Sequence, residues 1–258
     1  MVPLSRMGAN PTARLDAAGY LAHIRSEGRS LANAARSALG RPVPTCPGWS
    51  VDDLVAQIGR VHRRATLMVQ ERRMTEVLLN MIPAPPPAGL GRVDWLEEAI
   101  RWLADALAEA GPGSPVWNWT AGPQVAAFWF RWMAHETVVY RWDVEGALRQ
   151  PTPVASELAL DGIDELVGPF LPEGARTLPV TGPGGVLRLH CTDTNADWCI
   201  NAGPAGPALG PGPAAADATV SATASDLMMF LWNRLAPGDL SVEGNPAIAA
   251  RWQARLRG

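Results

Sequence analysis

Pro and Gly break the first 150 residues at intervals that leave four helix-length segments and little room for a sheet. From about Thr12 to Leu39, the residues Leu15, Leu21, Ile24, Leu31, Ala35 and Leu39 fall near one helical face, and Gly40-Arg41-Pro42 ends the run. A Pro-rich link, PVPTCPGW, leads to Ser50, which with Asp53 three residues on makes a capping-box-like start. The second helix is then striped by Leu54, Ile58, Val61, Ala65 and Met68. Residues 83–92, PAPPPAGLGR, read as a loop. Asp94 and Glu97 are expected to cap a third helix with the stripe Leu96, Ile100, Leu103 and Leu107, closed by Gly111-Pro112. An aromatic connection over 113–123 carries Trp117 and Trp119, and a fourth helix runs from about Gln124 to Leu148. Four amphipathic helices of these lengths make a four-helix bundle, whose polar sites are built inward from facing helices.

Pro151-Thr152-Pro153 marks a boundary, and the pattern changes after it. A helix to about Phe170 places Leu158, Ile163, Leu166 and Val167 inside. Strand-like runs follow at 185–192 and 196–201, then at 218–222 beyond a Gly/Pro/Ala loop at 202–216. Thr223 with Asp226 caps a helix, 240–243 reads as a strand, and Asn245-Pro246 opens a last helix as cap and first residue. The expected architecture is α+β in two domains: a helical bundle over 10–150 and a small α+β domain over 151–258.

Composition narrows the function classes. With 47% apolar and 18% charged residues the chain is globular, and a net charge of −3 without a clustered basic run argues against a nucleic-acid partner. All 22 basic residues are Arg, a bias of a GC-rich genome rather than of chemistry. The three Cys (Cys46, Cys191, Cys199) include no CxxC, so reduced thiols and a cytoplasmic location are the expectation. No apolar run is long enough to span a membrane, and MVPLSRMGANP lacks the core of a signal peptide, reading as a tail.

The segment richest in chemistry is RWMAHETVVYRWD, residues 131–143. Trp132, Glu136 and Tyr140 follow at i, i+4 and i+8 and so stack on one helix face, flanked by Trp129 and Asp143. A Glu among large aromatics is hydrogen-bonded, titrates, or holds something. A buried Glu satisfied by the Tyr140 hydroxyl and a functional Glu are both open at this point.

Two segments, PTCPGWSVDDLVAQIGRVHR (44–63) and RWMAHETVVYRWDVE (131–145), resemble the mycothiol-dependent maleylpyruvate isomerase family, whose N-terminal part is a DinB-like four-helix bundle. The second half is similar to that family's C-terminal domain through HCTDTNADW (190–198), ATVSATASDLMMFLWNRL (218–235) and LSVEGNP (240–246). The resemblance implies a divalent metal, typically zinc, between helices two and four, held by DLxxH and ExxxH with an open position for mycothiol thiol or water. This chain departs from that pattern at two of three positions. Gln57 stands for the helix-two His and Tyr140 for the helix-four His, while Glu136 is retained. An amide is a weak neutral ligand, a phenol must first lose a proton, and zinc prefers N and S donors. His62 lies about 140° around the helix from Gln57, and His135 about 100° from Glu136, so neither replaces the lost imidazoles. His62 suits packing or a helix-to-helix hydrogen bond and is also carried as a substrate contact. His23 and His190 read as structural, and nothing marks Cys46 as activated.

The expectation is therefore a small-molecule enzyme in a repurposed, metal-free pocket: isomerase, cyclase or lyase chemistry by proton transfer. Glu136, Tyr140 and Gln57 are its catalytic candidates, and Trp132, Trp117, Trp119, His62 and Arg234 its substrate contacts. Arg234 would clamp a substrate carboxylate, or meet the dipole of its own helix. No cofactor is expected, with zinc and mycothiol implied only by the resemblance. The partner expected is a small molecule, with neither nucleic acid nor membrane, and the chain a monomer or homodimer. A metal- and mycothiol-dependent isomerase or thiol transferase, a non-catalytic ligand binder (the three residues then closing a hydrogen-bonded network where the metal was), and an interaction protein lacking any pocket are the alternatives.

Overall fold

Each helix of the first half starts or stops on a specific backbone or side-chain device, and those devices decide which faces turn inward. The computed structural model describes residues 15–170, 185–203, 206–209 and 216–255. The tail read at 1–11 and the first residues of the opening helix, Thr12 to Arg14, lie outside the described residues. Helix α1 (Ala17–Arg36) starts after Asp16, whose carboxylate accepts from the Gly19 amide at 2.8 Å. Helix α2 (Val51–Gln70) has the reciprocal capping box that its sequence announces: Asp53 N–H donates to Ser50 Oγ at 3.2 Å and Ser50 N–H to Asp53 at 2.9 Å.

Helix α3 (Leu90–Ala110) begins a turn before Asp94, with Gly89 as its cap and no side-chain cap of its own. Asp52 on α2 takes that role from a distance, its carboxylate accepting from the Gly89 amide at 2.9 Å. Asp94 and Glu97, expected as caps, instead accept from Arg36 of α1 at 2.9 and 2.8 Å. Helix α4 spans Ala127–Ala147. Neither α2 nor α4 ends on glycine. Arg72 (φ 47°) and Arg149 (φ 60°) take the left-handed position, and the following amides, of Arg73 and Gln150, donate back to Met68 O and Glu145 O at 3.0 Å each.

These four helices form one compact unit, Leu15–Pro153; a second begins at Val154. The first unit is held by an apolar core to which every helix contributes, including Ile24, Leu31, Ile58, Met68, Leu96, Leu103, Trp129, Phe130 and Met133. Two polar devices cross it. Arg63 on α2 lies between the rings of Trp95 and Trp102 on α3, at 4.3 and 4.4 Å, with Glu98 at 2.7 Å. Gly59, one turn before, gives Trp95 the room to lie flat on α2. Between α2 and α4, His62 Nε2 meets Thr137 Oγ1 at 2.9 Å with both residues fully buried. Thr137 has one hydroxyl proton and gives it to Met133 O at 2.6 Å, so the imidazole must be the donor. His62 is thus the Nε2–H tautomer, with Nδ1 left as a buried acceptor that meets no partner among the described residues.

The second unit opens with α5 (Ser156–Glu165), continued by a π turn over Leu166–Phe170. Its sheet has the order β3-β2-β1-β4-β5, with β1 (Leu187–Cys191) antiparallel to β2 (Asp197–Gly203) and parallel to β4 (Ala218–Ala222). Along β1, Leu187, Leu189 and Cys191 are buried while Arg188 is exposed, the period-2 pattern of a sheet covered on one side. β3 (Gly206–Leu209) falls inside the stretch expected to be a loop. Its Gly and Pro content hides it, and as an edge strand paired only with β2 it tolerates Pro207. β5 (Ser241–Gly244) closes the other edge. Thr223 caps α6 (Ala224–Leu231), and Asn245 caps α7 (Pro246–Arg255) by accepting from Ala247 N at 3.0 Å.

Two stability outcomes follow. Burial pushes the His62 pKa from 6.5 down to about 3. Between those values the unfolded chain holds a proton on this ring and the folded chain does not, so stability falls as the pH drops from about 6.5 toward 3, by up to about 1.4 kcal/mol per pH unit. His62→Gln, which keeps a donor for Thr137 but does not titrate, should flatten this slope in denaturant melts at pH 7 and pH 5; a slope equal to wild type would refute the buried neutral imidazole. Gly59→Ala should lower stability by about 1–3 kcal/mol, because its Cβ would sit against the Trp95 ring, a cost that outweighs the roughly 1 kcal/mol Ala gains in a helix. An unchanged or raised melting temperature would contradict that packing.

Candidate functional site

The His62–Thr137 contact sets which sides of α2 and α4 remain accessible. On α4 the half-buried positions include a run spaced four residues apart: Phe128, Trp132, Glu136 and Tyr140. The structure therefore places the expected stripe on one partly open face. At its N-terminal end an aromatic cluster gathers around Trp119, whose ring lies 4.5 Å from Phe128, 5.6 Å from Trp129, 5.3 Å from Trp132 and 6.4 Å from Trp117. Nearly all these pairs meet edge to face, the arrangement that aromatic quadrupoles favour.

The loop bearing Trp117 and Trp119 is tightly bonded. Trp129 Nε1 donates to Trp117 O at 2.9 Å, and Trp117 N donates to Arg73 O at 2.8 Å. Buried Asn118 accepts from Thr120 N at 3.0 Å and donates to Pro123 O at 2.9 Å. Trp117, Trp119 and Trp132 are thus brought together at the N-terminal end of the stripe that carries Glu136.

Gln57 is half-buried on α2. It is turned about 140° from the face that carries His62, and shares a stripe with Asp53, Ala56 and Arg60 at i, i+3, i+4 and i+7. This stripe lines an open cleft of about 430 Å³, completed by Gly48, Trp49, Pro85 and Arg92. The turn Cys46-Pro47-Gly48-Trp49 closes with Trp49 N donating to Cys46 O at 3.0 Å, and Gly48 (φ 85°) supplies the left-handed residue that such a Pro-Gly turn requires. Thr45 ties this turn to α4 by donating to the fully buried Asp143 at 2.6 Å. On the far side, Arg92 pairs with Asp52 and donates to Pro86 O at 2.8 Å, while Arg60 donates to Leu79 O at 2.5 Å and Arg64 to Glu76 at 3.1 Å. The long connection after α2 is thereby folded back against it. The Ser50 hydroxyl and amide hold the Asp53 carboxyl below its usual pKa, helped by the charge of Arg92.

The remaining sequence candidates are placed as follows. His62 is internal, in the helix-to-helix bond described above. His135 is also buried, its ring edge-on to Tyr20 at 6.4 Å. Arg234 belongs to the second unit, where it closes α6: its amide donates to Met229 O at 2.8 Å and its guanidinium to Trp232 O at 2.7 Å, across Asn233 in the left-handed conformation. Sequence reasoning missed Trp49, Arg60 and Arg92. Arg60 carried a signal, since it shares the Gln57 stripe and α2 offers no acid three or four residues away on either side.

Positions 57, 136 and 140 supply an amide, a carboxylate and a phenol, which is not a donor set for zinc. Among the described residues, no group of three or more His, Cys, Asp or Glu is placed to hold a metal ion. No helix among the described residues is long and apolar enough to cross a membrane.

Comparison with known proteins places this geometry. The family described as "Mycothiol maleylpyruvate isomerase N-terminal domain" matches residues 21–145, and the one described as "MDMPI C-terminal domain" matches residues 157–251. Comparison with curated protein sequences gives no match. Among solved structures, the fold is shared with the crystal structure of the mycothiol-dependent maleylpyruvate isomerase at 12% identity and a TM-score of 0.60, over 89% of this chain and 93% of that one. A histidine-to-alanine mutant of that isomerase matches at 11% identity with the same TM-score and coverage. Both domain types occur in the same order along most of the sequence, on a shared fold, and the chain belongs to the mycothiol-dependent maleylpyruvate isomerase family.

Proposed function

We propose that this family member is a small-molecule enzyme that works by proton transfer without a metal ion, in an isomerisation, cyclisation or elimination. Membership of an isomerase family supports an enzyme. The observation that carries the rest is the half-buried α4 stripe of Trp132, Glu136 and Tyr140, next to a bonded aromatic wall, where the ligand-type residues that zinc needs are replaced. A carboxylate on an accessible helix face can take a substrate proton and return it at a neighbouring atom. In this reading Glu136 moves the proton, Tyr140 orients a substrate carbonyl and stabilises the charge that develops on it, and the Gln57 amide holds the substrate from α2.

Solvent-deuterium incorporation into a panel of small carbonyl compounds, each with an acidic α-carbon, tests this. Wild type should catalyse wash-in on at least one of them. Glu136→Gln should lower that rate by about 10²–10⁴-fold with the melting temperature within a few degrees of wild type, and Tyr140→Phe by less. An unchanged rate in Glu136→Gln, with raised stability, would make Glu136 a remnant of the metal site and end the catalytic reading.

A further inference from the structure

The connection between α2 and α3 turns apolar side chains outward. Its ends are tied to the two ends of α2: Arg73 N donates to Met68 O at 3.0 Å, and Gly89 N donates to Asp52 at 2.9 Å. Between them the chain follows the length of that helix, held by Arg64 on Glu76 at 3.1 Å and by Arg60 on Leu79 O at 2.5 Å. Val77 and Ile82 are buried beneath it. Met74, Leu78, Met81 and Leu90 are instead 51–66% exposed, four of the six large apolar side chains so placed among the described residues. Residues 77–91 carry no charged side chain at all. Apolar residues exposed singly are ordinary, but a ridge of about 400 Å² is in the range of patches that serve for binding. Net charge sits only at its ends, and with opposite sign. At one end Glu71 neutralises Arg73, while Arg72 is exposed and in no ion pair among the described residues. At the other, Asp94 lies one turn beyond Leu90 on the same face of α3, and Asp94 and Glu97 share the single cation Arg36.

We infer that this ridge is the interface between two copies of the chain, related by a two-fold axis that sets the two ridges antiparallel. The apolar middle then meets its own copy, and Arg72 meets Asp94 of the partner subunit, once on each side of the axis. A second copy fits better than a lipid surface. Opposite charges at the two ends match their own reverse and suit no uniformly charged face. The areas agree: two such ridges remove about 800 Å² from water at the centre, and a polar rim of similar extent brings the total to the roughly 1,600 Å² of a standard interface. The Pro-rich stretch before Leu90 is held at both ends, so pairing costs it little further order. None of the residues used in the proton-transfer reading lies on the ridge, so dimerisation stands or falls apart from it.

Sedimentation equilibrium of the full chain over roughly 1–100 µM, the range expected of a small interface, tests this. Wild type should reach twice the 27.5 kDa of one chain. Leu78→Glu combined with Met81→Glu should weaken pairing by about a hundredfold or more, leaving a monomer with an unchanged circular dichroism spectrum. Arg72→Asp and Asp94→Arg should each weaken it by about tenfold, because the two-fold axis counts every change twice, and together should restore most of it. If Asp94→Arg disturbs the fold through Arg36, Asp94→Asn should still weaken the dimer, by a smaller factor. A monomer at every concentration, or a dimer indifferent to the Leu78 and Met81 changes, would overturn the interface. Dimers weakened by each charge reversal and not restored by both would overturn the antiparallel pairing. A monomer that floats with vesicles of phosphatidylcholine and phosphatidylglycerol would give the ridge to a lipid surface instead.

Discussion

A neutral imidazole sealed between two helices governs this site. His62 donates to Thr137, Thr137 donates to Met133, and no proton is left for the bare Nδ1. The bond fixes the rotation of α2 and α4 about their own axes, and everything functional is read off that rotation. Rotating α4 to bury Glu136 would bring Thr137 out of reach of the ring; rotating α2 to bring Gln57 inward would leave a buried imidazole without its acceptor, a loss on the order of 1–3 kcal/mol. What remains accessible is the Trp132–Glu136–Tyr140 stripe on one helix and the Asp53–Gln57–Arg60 stripe on the other.

The connections around these helices are as constrained as the helices themselves. The turn at 46–49 is tied to α4 through Thr45 and Asp143, and the chain after α2 is drawn back by Arg60, Arg64 and Arg92. Arginine does this where lysine would not, since one planar fork reaches a carboxylate and a carbonyl together, as Arg92 does with Asp52 and Pro86. Arg60 is different. Its fork holds the Leu79 carbonyl instead.

Much of this was legible from local pattern. The Ser50/Asp53 box, the Thr223 and Asn245 caps and the i, i+4, i+8 stripe of α4 rest on short-range rules, and the structure agrees with each of them. Long-range partners were not legible. Asp94 and Glu97 look like caps because of their spacing, but Asp52 does the capping from another helix and Arg36 claims both acids. The ends of α2 and α4 lack glycine, so Arg72 and Arg149 gave no stop signal. β3 reads as loop because Gly and Pro dominate it. The site was legible in part for the same reason: α4 repeats at helical spacing, whereas the cleft draws Trp49, Pro85 and Arg92 from three separate segments.

The central claim is that amide, carboxylate and phenol at positions 57, 136 and 140 do not make a zinc site on a backbone whose family is named for a mycothiol isomerase. Zinc content by elemental analysis, after expression in zinc-supplemented medium, tests it most directly when the double variant Gln57→His with Tyr140→His is measured alongside. The account predicts well under stoichiometric zinc in the wild-type protein and a gain of bound zinc in the double variant. One tightly held ion per wild-type chain, retained through dialysis against a chelator, would contradict it.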